Sequence, residues 1–97
     1  MKILVQSPDF KAQPELIDFV NEKLQKLELF TDRIIEARVL LKLDKSDSRE
    51  NKVSEVKLVI PGNDLFASKQ AKTFEEATVK TVDALKKQIE EWKKKND

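Results

Sequence analysis

Two rows of lysines run along the C-terminal part of the chain. Lys80, Lys87 and Lys94 are seven residues apart, and Lys86 and Lys93 repeat that spacing one position earlier. Because seven residues are close to two turns of an α-helix, each row would lie along one side of a helix. Ammonium groups arranged in this way can bind the phosphates of a nucleic acid. The first candidate chemistry is therefore anion recognition.

The same lysines also have an explanation that needs no ligand. Three acid-before-lysine pairs have the i,i+4 spacing that stabilises an isolated helix: Glu76–Lys80, Asp83–Lys87 and Glu90–Lys94. Lysines in the last turn also interact favourably with the negative end of the helix dipole. On these residues alone, a solvated helix surface is favoured over a binding face.

Missing residue types restrict the chemistry further. The chain has no His, Cys or Tyr, and Gly62 is its one glycine. Glycine-rich phosphate loops and zinc sites with nitrogen or sulfur ligands are therefore excluded. Acid–base catalysis would depend on carboxylates or lysine. We expect no enzyme activity, no catalytic residue, no metal, no cofactor and no small-molecule substrate.

Length and composition indicate one folded domain. The 97 residues are 39% hydrophobic and 38% charged, and 19 basic side chains stand against 18 acidic ones. No apolar run is long enough to span a membrane, and "MKILVQS" is too short for the core of a signal peptide. We expect a cytoplasmic protein without a membrane partner.

Hydrophobic periodicity predicts an α+β fold with the order β-α-β-β-β-α. Strands are predicted at residues 3–7, 35–43, about 55–60 and 65–71, and helices at about 14–28 and from Thr73 to about Lys94. The polar segment 44–52 predicts a hairpin loop, and "PGND" at 61–64 predicts a turn. We expect a four-stranded sheet with both helices packed on one face.

Alternation and helical spacing predict which side chains enter the core. One face of the second strand is predicted to contain Ile35, Ala37, Val39, Leu41 and Leu43. Thr73 and Glu76 have the spacing of a capping box at the start of the last helix. The apolar stripe of that helix is predicted to contain Phe74, Ala77, Thr81, Leu85, Ile89 and Trp92.

Basic residues of the two helices can combine into one surface. Lys23 and Lys26 follow Phe19 along one edge of the first helix, where their stems can also cover the core. If the helices lie side by side, a nearly neutral chain can still bind phosphate on one face. That arrangement predicts that acids gather away from Lys86, Lys87 and Lys93, towards the 44–52 loop.

The order of elements and two sequence blocks resemble the ribosome hibernation-promoting factors, also called ribosome-associated inhibitor A or sigma-factor modulation proteins. The blocks are "QPELIDFVNEKLQKLELF" at 13–30 and "IPGNDLFASKQAKTFEEATVKTVDALKKQIEEWKKK" at 60–95. The matching positions are Leu24, Lys26, Leu27, Ala67, Ser68, Leu85, Gln88 and Ile89. The resemblance covers nearly the whole chain in order.

The resemblance implies a fold related to double-stranded-RNA-binding domains and a stress or stationary-phase factor. Such a factor binds the small ribosomal subunit and sterically blocks the sites of messenger and transfer RNA. It also implies a chain that is monomeric away from the ribosome and contacts rRNA phosphates. The candidate rRNA-binding residues are Lys23, Lys26, Lys69, Lys72, Lys80, Lys86, Lys87, Lys93 and Lys94.

This sequence departs from the family pattern in several places. Thr73, Phe74 and Glu75 replace a frequent Asp-Met/Leu-Tyr pattern, and Ala84 and Glu91 stand where some members have lysine. Longer relatives add a C-terminal dimerisation domain. We expect residues 1–97 to form a single ribosome-binding domain without that addition.

Two other functions stay open from the residues. Residues 68–85 also resemble the last helix of double-stranded-RNA-binding domains, although those domains begin with a helix and this chain begins with a strand. A protein-interaction module is the other alternative. It would use the sheet face that contains Leu40 and Val59, or the 44–52 loop.

Overall fold

The computed structural model describes residues 1–45 and 49–96. The elements along the chain are β1 (Lys2–Gln6), α1 (Pro14–Gln25), a 3₁₀ turn (Lys26–Leu29), β2 (Glu36–Leu43), β3 (Lys52–Val59), β4 (Leu65–Ala71) and α2 (Phe74–Asn96). This order confirms the predicted β-α-β-β-β-α arrangement. Within the described residues, no helix is long and apolar enough to cross a membrane.

The strands form one sheet in the order β1-β2-β3-β4. β1 runs parallel to β2, whereas β2–β3 and β3–β4 are antiparallel, as predicted for strands joined by short connections. The first hairpin closes where the amide of Asp44 donates to the carbonyl of Asn51 at 2.8 Å. Residues 46–48 of the predicted 44–52 loop lie outside the described residues. The second hairpin turns through Gly62, whose φ of 87° lies in the left-handed region that favours glycine.

Both helices cover one face of the sheet, as predicted. α2 packs on β3 and β4, while α1 contacts β1 and α2. The core contains the inward alternation of the strands and the apolar stripes of the helices. Its fully buried large aliphatic side chains are Val20, Leu24, Leu27, Leu41, Val56, Leu58, Leu85 and Ile89.

The start of α2 is fixed by two local contacts. The hydroxyl of Thr73 accepts a hydrogen bond from the amide of Glu76 at 3.1 Å, which is the N-cap bond of the predicted capping box. The ring of Phe74 stacks on Phe10, with centroids 4.6 Å apart. These contacts place the first turn of α2 against the connection that follows β1.

The sheet ends differ from the sequence prediction. Ile35 was predicted to face the core, but its side chain is 60% exposed and Ile34 is buried instead. Leu43 is also exposed at the other end of β2. Ile35 precedes the first residue of β2, so the alternation of the strand does not govern its side chain. The first helix ends at Gln25 and continues as the 3₁₀ turn, so its α-helical part is shorter than predicted.

Candidate nucleic-acid interface

The buried stripe of α2 determines which of its lysines face solvent. Leu85 and Ile89 are fully buried and Trp92 is 7% exposed, so this side of the helix is seated on the sheet. Lys80, Lys87 and the other lysines of α2 are exposed. The predicted division of α2 into an apolar stripe and exposed lysine rows is therefore confirmed.

One row of lysines meets an edge strand. Lys69 of β4 faces the helix side of the sheet, because it pairs with the buried Ser54 of β3. Since β4 is at the edge of the sheet, the side chain of Lys69 extends beside α2. It lines a shallow hollow of about 410 Å³ with Lys80, Asp83, Ala84 and Lys87. We call this group the lysine hollow; in it, three ammonium groups face one carboxylate.

A second hollow lies further round the same helix. It has a volume of about 290 Å³ and is lined by Asp83, Lys86, Lys87 and Glu90. Two carboxylates balance the two ammonium groups there. The prediction that acids gather away from Lys86 and Lys87 is therefore wrong. The acids share this surface because residues at i and i+4 are neighbours on one side of a helix, which places Asp83 beside Lys87 and Glu90 beside Lys86.

The other flank of α2 faces the end of α1, and its lysines are engaged. The ammonium group of Lys86 lies 4.8 Å from the ring centroid of Phe30, a cation–π distance. Lys93 donates a hydrogen bond from Nζ to the backbone carbonyl of Phe30 at 2.9 Å. Phe30 follows the 3₁₀ turn, so Lys86 and Lys93 connect α2 to the end of the first helix.

The lysines of the hollow form no ion pair with the acidic side chains that the structure describes. Side-chain ion pairs within 4.0 Å, taken over residues 1–45 and 49–95, join Arg38 to Glu36, Lys42 to Glu55 and Lys57 to Asp64. None of the three predicted i,i+4 pairs of α2 closes to this distance. The ammonium groups of Lys69, Lys80 and Lys87 are thus available to an anionic partner.

The remaining candidates are spread over other elements. Lys23 is half-buried and its ammonium group lies 5.3 Å from the ring centroid of Phe19, in keeping with a stem that covers the edge of the core. Lys26, in the 3₁₀ turn, is exposed, as are Lys72 before α2 and Lys94 in its last turns. The structure thus brings Lys69, Lys80 and Lys87 together and leaves these other candidates apart from the lysine hollow.

Sequence reasoning missed one cation near α2. The guanidinium of Arg33 lies 5.8 Å from the ring centroid of Trp92. Arg33 belongs to the connection between the 3₁₀ turn and β2, far from Trp92 in the chain. No local spacing links these residues, because only the packing of α2 brings them together.

The open sheet face has a different character. A hollow of about 440 Å³ lies there between Leu4, Leu40 and Phe66, with Arg38 and Lys57 at its rim. Phe66 is 55% exposed. The hydrogen bond from Arg38 to Glu36 and the charge of Glu36 raise the pKa of this arginine. This hollow is larger than the lysine hollow, but its cations are paired with acids.

Two solved structures have the same fold as this chain. The crystal structure of the Protein Y N-terminal domain from Thermus thermophilus matches with a TM-score of 0.79 and 21% identity, covering 95% of this chain and 99% of that one. A ribosomal subunit interface protein from Coxiella burnetii matches with a TM-score of 0.85 and 16% identity, covering 96% of this chain and 98% of that one. At these identities the likeness shows the fold alone.

Two curated relatives and a family model also match this chain. A ribosome hibernation promotion factor from Deinococcus radiodurans is 35% identical over 78 residues, which are 78% of this chain but 40% of that protein. A ribosome hibernation promoting factor from Klebsiella oxytoca is 27% identical over 95 residues, covering 98% of this chain and 96% of that one. The model of the Sigma 54 modulation protein / S30EA ribosomal protein family matches residues 3–97. Because this match spans nearly the whole chain, the chain belongs to that family.

Proposed function

We propose that this chain is a non-enzymatic ribosome hibernation factor that binds the rRNA of the small ribosomal subunit. Family membership and the names of the relatives from Deinococcus radiodurans and Klebsiella oxytoca support the ribosome as the partner. The protein acts by occupying the space that messenger and transfer RNA need. It works in the cytoplasm, under stress or in stationary phase, and is a monomer away from the ribosome.

The observation that carries the proposal is the lysine hollow. Lys69, Lys80 and Lys87 come from two elements, face one open depression and form no ion pair among the described side chains. Phosphate binding depends on such available cations, because each phosphate that is neutralised releases condensed counterions. A chain with a net charge of +1 can bind RNA in this way, because its paired and available cations lie on different surfaces.

The other candidate lysines contribute around this centre. Lys72 and Lys94 are exposed near the two ends of α2, and Lys23 and Lys26 extend the surface along the first helix and the 3₁₀ turn. We assign Lys86 and Lys93 a smaller share of the phosphate contacts, because their ammonium groups already contact Phe30.

Co-sedimentation with purified small ribosomal subunits across a salt series tests this function. We expect binding at low salt and a log–log salt slope of about −0.7 to −0.9 for each phosphate that is contacted. A protein that stays in the supernatant at low salt would refute ribosome binding. If bound protein blocks sites sterically, transfer RNA added to the same subunits will compete with it.

Two controls separate the alternative functions. Equal affinity for a bare RNA duplex and for subunits would favour a double-stranded-RNA-binding module. The hollow between Leu4, Leu40 and Phe66 is the specific observation that favours a protein-interaction module. The Phe66→Ala variant removes the most exposed side chain of that hollow, and we expect it to bind subunits as the parent chain does. A marked loss of subunit binding in this variant would assign the contact to the sheet face.

A further inference from the structure

A cluster of buried hydroxyl groups lies between α2 and β3. Ser54 of β3 and Thr78 and Thr81 of α2 are all fully buried. The hydroxyl of Thr81 is 3.0 Å from the carbonyl oxygen of Ser54 and 2.7 Å from that of Ala77, within its own helix. The hydroxyls of Thr78 and Ser54 are 3.4 Å apart. The cluster therefore joins one position of the sheet to one turn of α2.

The location of the cluster links the two parts of the lysine hollow. Ser54 is the strand partner of Lys69, so a contact between α2 and Ser54 also sets the position of α2 relative to Lys69. Thr81 follows Lys80 directly in the chain, and Lys87 comes about two turns later. Contacts between Ser54 and Thr81 thus set the helix lysines relative to the strand lysine.

Apolar packing alone would fix this alignment less firmly. Contacts between aliphatic side chains are not directional, whereas a hydrogen bond requires a short distance and a narrow range of angles. A slip of α2 by one residue would rotate its lysines by about 100° around the helix axis. Lys80 and Lys87 would then leave the side of the helix on which Lys69 lies.

We expect stability to depend little on these hydroxyls. The bond between Thr78 and Ser54 has side chains at both ends, and replacing both partners with apolar groups of similar shape can be nearly neutral or stabilising. The two threonines lie on the buried side of α2, where valine would have nearly the same shape. The expected role of the cluster is therefore specificity of position, a role for which buried polar groups are used in some proteins.

We propose that Ser54, Thr78 and Thr81 are positioning residues that align Lys69 with Lys80 and Lys87 into one preformed site for neighbouring phosphates of an RNA strand. This inference rests on the proposed function for the identity of the anion. It adds that the site depends on how α2 packs on β3 and not on the lysines alone.

The test replaces all three hydroxyls together, in the variant Ser54→Ala/Thr78→Val/Thr81→Val. We expect a melting temperature within about 8 °C of the parent chain, because no side-chain partner is left unpaired and only the backbone carbonyl of Ser54 loses a donor from another element. We expect subunit affinity to fall by about threefold to tenfold. The salt slope should become shallower by about 0.7 to 0.9, the value for one lost phosphate contact. The Thr78→Ser/Thr81→Ser variant keeps the hydroxyls and should bind as the parent does.

A second measurement does not depend on the ribosome. Inorganic tripolyphosphate is titrated into isotope-labelled protein while the amide signals of Lys69, Lys80 and Lys87 are followed by NMR. In the parent chain the three signals should follow one binding curve, and in the triple variant Lys69 should separate from the other two. If the triple variant does not fold, the Thr81→Val variant alone is measured in both experiments.

The outcomes distinguish the two proposals. Unchanged affinity, salt slope and tripolyphosphate curve in the hydroxyl-free variant would overturn the positioning role. A lower melting temperature with an unchanged salt slope would also overturn it, because the hydroxyl cluster would then stabilise the fold without aligning the lysines. A parent chain that ignores subunits but titrates with tripolyphosphate at all three lysines would refute the proposed function and support the alignment.

Discussion

Lysines lie on both flanks of α2, but only those on one flank are available to a ligand. On the flank towards β4, Lys80 and Lys87 face an open hollow with Lys69 and one carboxylate. On the flank towards the end of α1, the ammonium groups of Lys86 and Lys93 contact Phe30. The difference is produced by the neighbours of the helix, since the lysines of both flanks are exposed and seven residues apart. Availability of a cation is thus a tertiary property that a count of lysines does not give.

The open sheet face extends the comparison. Its cations Lys42 and Lys57 lie 3.0 and 3.3 Å from the carboxylates of Glu55 and Asp64. Such surface pairs contribute little to stability, but they lower the local positive charge that a phosphate would meet. The chain is therefore nearly neutral overall, but its surfaces differ. Cations of the open sheet face are paired with acids, whereas the lysines on the flank of α2 towards β4 are available to a ligand.

The largest expected effect comes from neutralising the lysine hollow. In the Lys80→Gln/Lys87→Gln variant, subunit affinity should fall by about 10- to 100-fold near physiological salt, because two phosphate contacts are lost. The salt slope should become shallower by about 1.4 to 1.8. Co-sedimentation at four or more salt concentrations measures both quantities.

The matched control changes the same charge on the sheet face. In the Lys42→Gln/Lys57→Gln variant, subunit affinity should stay within about threefold of the parent. The log–log salt slope should not change, because no phosphate contact is lost. Equal losses of subunit affinity in the hollow variant and the sheet-face variant would contradict this difference between the two surfaces. Binding would then depend on the net charge of the chain and not on the unpaired lysines of the hollow.

The fold was largely predictable because its determinants are local. The stripe that contains Leu85, Ile89 and Trp92 has helical spacing, and each of these residues is buried. The strands from 36 to 71 alternate, and the polar segments between them predict hairpins. The exceptions are Ile35, which precedes β2, and Leu43, which is its last residue; both are exposed.

The site was less predictable because it depends on distant pairing. Lys69 joins the hollow only because β4 pairs with β3 and α2 lies on both. Lys93 is 63 residues from Phe30, so no local pattern indicates that its ammonium group contacts this carbonyl. The expected separation of acids from lysines failed for a local reason, since Asp83 and Glu90 belong to the same i,i+4 pattern as the lysines.

A smaller effect on binding is expected from the flank towards α1. In the Lys86→Ala/Lys93→Ala variant, subunit affinity should fall by no more than about threefold, because these ammonium groups are engaged with the protein. Stability should fall by about 1 kcal/mol, since an exposed cation–π contact and a hydrogen bond are lost. Thermal unfolding measures this loss.

The control for stability is Lys94→Ala, which removes an exposed lysine of the same helix. This variant should melt within about 1 °C of the parent chain. Suppose instead that Lys86→Ala/Lys93→Ala keeps the parent stability and loses binding as strongly as the hollow variant. Both flanks would then bind phosphate, and the contacts with Phe30 would not make Lys86 and Lys93 unavailable to RNA.

The smallest expected effect is a gain. Asp83 lines both hollows, so its carboxylate would repel a phosphate bound in either of them. Asp83→Asn keeps the shape and removes that charge, and we expect subunit affinity to rise by about two- to fivefold at low salt, because a surface charge at about 4 Å contributes on the order of 1 kcal/mol. The gain should shrink as salt is added, since salt screens the repulsion between Asp83 and phosphate.

Glu75→Gln makes the same change near the start of α2, outside both hollows, and should leave affinity unchanged. A gain of equal size in both variants would mean that RNA responds to the total charge of the helix, whereas a gain confined to Asp83→Asn locates the phosphate beside Lys80 and Lys87.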